Sequence, residues 1–143
     1  MITIFALLCQ ACGLSHREAA EALRVRLDTV KSWSAGRNRA PEPVLAELAA
    51  LAAGIETAAA EVLARIEDLE VQARAAGIEK TESELGVAID DAEAQALGWP
   101  CVGAQRACIA LVVARGTRRG YRFRVAPRGA TVPTAAAADA HGR

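Results

Sequence analysis

Residues 24–39 set five basic side chains against a single acid, Asp28, with small polar residues between them. Leu27, Asp28, Lys31 and Ser32 could read nucleic-acid bases from one short helix. Lys31 reaches a guanine edge or a phosphate, Ser32 both donates and accepts, and Asp28 accepts from a cytosine amine. Asp28 also suits a helix N-terminus, where its charge meets the positive end of the backbone dipole. Arg24, Arg26, Arg37, Asn38 and Arg39 flank this set and are of the types that track phosphates.

Such side chains work only if the backbone presents them together. Ser15 is a helix N-cap, and Glu18 three residues on completes a capping box. The spacing of Ala19, Ala20 and Leu23 predicts a helix over 15–23 with these residues inward. Ala20 is small enough for a close helix crossing. Residues 24–26 form a turn, with Val25 directed back to the core. Val30 and Trp33 give the next helix, 27–35, one buried face, and Gly36 supplies its stop. Leu27, Asp28, Lys31 and Ser32 are then left on the outer face or at the helix start. This is the layout of a DNA-reading helix-turn-helix; the competing reading is a helical bundle using the same spacing only for packing.

Residues 3–53 resemble the lambda-repressor-like helix-turn-helix family of the xenobiotic-response-element type. The resemblance is carried by Gly13-Leu14-Ser15, Glu18-Ala19-Ala20, Leu23, Val25, Thr29-Val30 and Trp33 through Gly36. It covers a little over a third of the chain. The broader pattern is similar to small phage and mobile-element regulators, including those associated with anti-CRISPR operons. The resemblance implies a bundle closed by a helix over 41–53, and binding to an operator as a dimer. Two features depart from the family. Arg24 stands where a turn glycine is usual, at a backbone cost if its φ is positive. The proline that closes the loop, Pro41, comes one residue late.

Charge is segmented along a chain of zero formal net charge. Residues 1–54 hold six basic and five acidic groups, 55–98 three and eleven, and 99–143 eight and one. Overall neutrality argues against strong non-specific DNA binding and for a dimer that sums two modest contacts. The apolar start, residues 4–12, has no basic leader and is too short to span a membrane, so it reads as a first helix in a cytoplasmic protein. The four cysteines, Cys9, Cys12, Cys101 and Cys108, read as buried and reduced, with a four-cysteine zinc site as the alternative. No enzyme is expected: His16 and His141 are the two histidines, and no phosphate loop or nucleophile constellation is present. No cofactor or metal is implied.

Residues 55–76 read as one long helix ending at Gly77. Ile55, Ala59, Val62, Ile66, Leu69 and Ala73 make a heptad seam. That seam serves either dimerisation or packing within the chain. Residues 81–86 suggest a turn or short helix and 87–89 a short strand. Asp90 or Asp91 caps a helix to Leu97. Residues 108–114 suggest a buried strand, with a helix as the alternative. After a turn at 116–120, Tyr121, Phe123 and Val125 alternate with Arg122 and Arg124 as an amphipathic strand. Together these predict a basic β-hairpin. Arg118, Arg119, Arg122 and Arg124 would be a second nucleic-acid contact, a partner for the acidic segment 55–98, or a solvated face. Residues 130–143 are Ala-rich and patternless, and are expected to form a mobile tail.

The chain is therefore expected to be mainly α: a helix-turn-helix bundle of four or five helices over 1–54, a long helix over 55–77, and a small α+β region over 78–129. The expected role is operator binding by a homodimeric repressor, without a membrane. The alternatives are an antitoxin-like protein that binds a protein partner and a regulator that binds RNA, both acting through the C-terminal half.

Overall fold

A computed structural model describes residues 1–79 and 82–128. Thr81 and the tail over 130–143 lie outside them. The order is α1 (Ile4–Ala11), α2 (His16–Leu23), α3 (Leu27–Ala35), α4 (Glu42–Ala75), β1 (Ser83–Val87), α5 (Asp91–Ala96), α6 (Val102–Arg118) and β2 (Phe123–Pro127). The fold is mainly helical with a small α+β C-terminal region, as expected.

One core joins these elements. It runs from Phe5, Cys9 and Cys12 through Ala19, Val30 and Leu48 to Ile55, Leu63, Cys108 and Val112. Leu48, Ile55, Val30 and Val112 are almost fully buried, each contributing about 1.5–3 kcal/mol. All four cysteines are buried and free. Burial pushes the Cys9 thiol up to about 11, helped by its neighbour Cys12, and burial first among several causes takes Cys101 to about 11. Cys12 Sγ donates to the Leu48 carbonyl at 3.3 Å, tying α1 to α4.

Several expectations are corrected. The helices expected over 41–53 and 55–76 are one helix, α4, because Gly54 meets no neighbour and the buried face continues from Leu48 to Ile55. By length and composition alone α4 is long and apolar enough to cross a membrane. Alanine makes its composition apolar, while Leu48, Ile55, Leu63 and Ile66 face the core.

The segment 108–114 is helix, within α6. Its buried residues Ala104, Cys108, Val112 and Gly116 recur every fourth position, and this face packs along α4. The turn expected at 116–120 is accordingly shorter, since α6 runs to Arg118.

The expected hairpin is instead a parallel pair. β1 and β2 are hydrogen-bonded in the register Ser83↔Phe123, Leu85↔Val125 and Val87↔Pro127, with α5 and α6 forming the crossover that parallel strands require. β1 takes up most of what was expected to be a turn or helix over 81–86. Buried Gln105 locks α6 to β1: its Oε1 accepts from Ala88 N at 3.0 Å and its Nε2 donates to Gly86 O at 3.2 Å. The Phe123 ring lies over Gly116, where an added Cβ would collide with it.

Candidate nucleic-acid interface

Helices α2 and α3 have the expected bounds within one residue. Ser15 Oγ accepts from Glu18 N at 3.1 Å, and Glu18 Oε1 accepts from Ser15 N at 3.0 Å, completing the capping box. Arg24 ends α2 at φ 59°, the one positive-φ residue other than glycine among the described residues. Val25 N then donates back to Ala20 O at 3.0 Å, which folds the chain sharply into α3. Gly36, at φ 80°, closes α3 in the same way, with Arg37 N donating to Ser32 O at 3.0 Å.

The inner face of α3 is fixed. Val30 is fully buried, and Trp33 meets Phe5 of α1 edge to face at 5.4 Å and 68°. Thr3 Oγ1 donates to the Ser34 carbonyl at 3.1 Å, and His16 Nε2 lies 3.2 Å from Ser34 Oγ. The middle and C-terminal end of α3 are thus anchored, and rotation about its axis would break these contacts.

The outer face carries Leu27, Asp28 and Lys31, all exposed. Ser32 is half-buried, and its hydroxyl accepts from Asn38 Nδ2 at 2.7 Å. These two residues brace the loop after α3, so Ser32 is less open than expected. Arg24, Arg26, Arg37 and Arg39 are exposed, and none joins an ion pair among the described residues. The expected base-facing and backbone-facing residues therefore come together on one contiguous stretch of chain. Arg17, which the sequence reading passed over, is a further exposed cation on α2, paired with Glu21 at 3.3 Å.

The second basic group is arranged differently. Arg119 lies 4.0 Å from Glu67, Arg124 bonds Glu84 and lies 3.5 Å from Glu82, and Arg128 lies 3.8 Å from Glu93. Arg118 and Arg122 are exposed and unpaired among the described residues. The basic C-terminal part thus neutralises carboxylates of the acidic segment, one of the alternatives read from the charge pattern. The seam on α4 also divides. Ile55, Ala59 and Ile66 are buried in the core, whereas Leu69 is 51% exposed.

Glu18 has a second role that the sequence reading missed. Its Oε2 accepts from Gly103 N at 3.0 Å, at the start of α6, where Cys101 offers no side-chain cap. Asp91 Oδ1 accepts from the adjacent Val102 N at 2.9 Å. Two carboxylates from other elements thus satisfy the first amides of α6. Burial alone would raise the Glu18 pKa, but hydrogen bonds from Ser15, Gly103 and Cys101 outweigh it and hold the carboxyl below its ordinary value. The one available signal was negative: no Ser, Thr, Asp or Asn precedes α6 at its cap.

Among the described residues no group of His, Cys, Asp or Glu is arranged to hold a metal ion. No protein-family model matches the chain, and neither does any curated protein sequence.

Proposed function

We propose that this chain is a sequence-specific DNA-binding transcription regulator, acting in the cytoplasm as a homodimer on an inverted-repeat operator, most simply as a repressor of its own operon. One observation carries the reading: the exposed face of α3, bearing Leu27, Asp28 and Lys31, lies between two pairs of unpaired arginines, Arg24 with Arg26 and Arg37 with Arg39. In this mechanism α3 enters the major groove, Lys31 reads a base edge, and the arginines hold the flanking phosphates. Two such helices occupy successive major grooves about 34 Å apart and exclude polymerase. An RNA-binding role for the C-terminal half is less favoured, because Arg119, Arg124 and Arg128 already face carboxylates.

The test is a fluorescence-anisotropy titration against DNA from immediately upstream of the gene, beside a scrambled duplex, across a range of salt. Four phosphate-contacting arginines per protomer release about eight counterions per dimer. The slope of log K against log salt is then about −7. Lys31→Ala should weaken operator binding by about 1–3 kcal/mol and leave scrambled DNA little changed. Equal weak binding to both duplexes would overturn the proposal for this upstream operator, and equal losses on both would make Lys31 a phosphate contact.

A further inference from the structure

We infer that a second copy of this chain docks in the apolar groove at the carboxyl ends of β1 and β2, and that this contact is the homodimer interface; the inference rests on the regulator reading above. The groove is about 530 Å³, lined by Val87, Ile89, Ile109, Val125 and Pro127, with Arg106 beside them. Ile89 is 65% and Val125 54% exposed, although Leu85, the register partner of Val125, is 7% exposed. Parallel strands ordinarily lie covered on both faces, and two strands alone are marginally stable in water. At Val125 this strand pair therefore lacks a covering layer, although α6 lines one side of the groove.

Charge decides the occupant. Arg106 is exposed and has no ion-pair partner among the described residues. Asp90, next in the chain to Ile89, is also exposed and unpaired, using one carboxylate oxygen to accept from Glu93 N at 2.8 Å. A two-fold contact uses the same patch from both copies, so Arg106 meets the partner's Asp90 and the pair forms twice. An amphiphilic acid or a nucleic acid would meet Arg106 and be repelled by Asp90. Another exposed apolar strip, Leu69 with Ile78, lies beside Glu79 and Glu82. Set against itself, that strip would bring carboxylates together.

Sedimentation velocity on the full chain over a range of concentrations tests this. Wild type should sediment as a dimer. Val125→Glu and Arg106→Asp should each weaken self-association by at least about tenfold, with the helical circular dichroism unchanged. Arg106→Asp combined with Asp90→Arg should regain part of the association, because the pairs re-form in reverse while the α5 cap on Glu93 N is lost. A monomeric wild type, a Val125→Glu protein that sediments as wild type, or a double variant no better than Arg106→Asp would overturn the inference. Operator titrations on the same samples separate it from the regulator reading. A dimer broken by Val125→Glu without operator binding by wild type keeps the surface and removes the regulator. Operator binding with dimerisation insensitive to Val125→Glu does the reverse.

Discussion

Replacing Glu18 tests whether one carboxylate joins the helix-turn-helix to the C-terminal half. Glu18→Ala removes two charge-assisted bonds from backbone amides, Ser15 N and Gly103 N, each 3.0 Å long. The Ser15 bond is solvent-exposed and contributes about 0.5–1 kcal/mol, as capping interactions do. The Gly103 bond is part-buried and caps a helix of 17 residues, so it contributes about 1.5–2 kcal/mol. The sum, about 2–3 kcal/mol, lowers Tm by roughly 5–10 °C in a chain of this size. Glu18→Gln keeps the shape but turns one acceptor into a donor facing an amide, and should cost nearly as much. Urea unfolding followed by circular dichroism reads the difference. The pKa of Glu18 is lowered below its ordinary 4.5 in the fold, so its stabilisation is complete above that value. It is lost as pH falls through the lowered folded pKa. The gap between wild type and Glu18→Ala should therefore narrow as the solution is acidified from neutrality to about pH 3. A neutral-pH gap under about 0.5 kcal/mol, or one that does not shrink in acid, would refute the reasoning.

Arg24→Gly should stabilise the fold by about 0.5–1 kcal/mol by relieving the left-handed backbone, while reducing the operator salt slope by about 1 per protomer; chemical denaturation and salt titration measure the two effects. Gly54→Ala should stabilise α4 by about 0.5–1 kcal/mol, since nothing lies within 4 Å of the added methyl. Gly103→Ala, also in a helix, should destabilise by about 1–3 kcal/mol because its methyl meets the Gly13 carbonyl and the Glu18 carboxylate. Thermal melts of the pair should move in opposite directions. The buried thiols, with Cys9 and Cys101 at about 11, should resist an aromatic disulfide reagent in the native state and react fully after unfolding.

The helix-turn-helix was legible because its cues are local. Ser15 and Glu18, the small Ala20, the Val30–Trp33 spacing and Gly36 each act within a turn or two of chain. The C-terminal half depended on distant partners. Residues 108–114 contain Val112-Val113, which mimics a strand, but α6 is selected by the four-residue recurrence of Ala104, Cys108, Val112 and Gly116 against α4. β1 was obscured because Ser83 and Gly86 are poor strand formers, and its position is fixed by Gln105 and by β2. Gly54 looked like a boundary, whereas the core on either side carries the helix through it. On the outer face of α3, the inward spacing of Val30 and Trp33 left Lys31 open, as it is. It could not show that Asn38 would engage the Ser32 hydroxyl.

Where Gly13 meets Gly103, backbone faces backbone with no room for a side chain at either position. The spacing between the helix-turn-helix and α6 is therefore set by two peptide units, not by rotamers that thermal motion can exchange. Such a joint works as a stiff mechanical linkage, delivering displacement at one end to the other with little slack. In an operator-bound dimer it would act as a ruler. One added base pair moves a half-site by about 3.4 Å and turns it by about 35°, a mismatch that a flexible tether absorbs and this linkage passes on as strain.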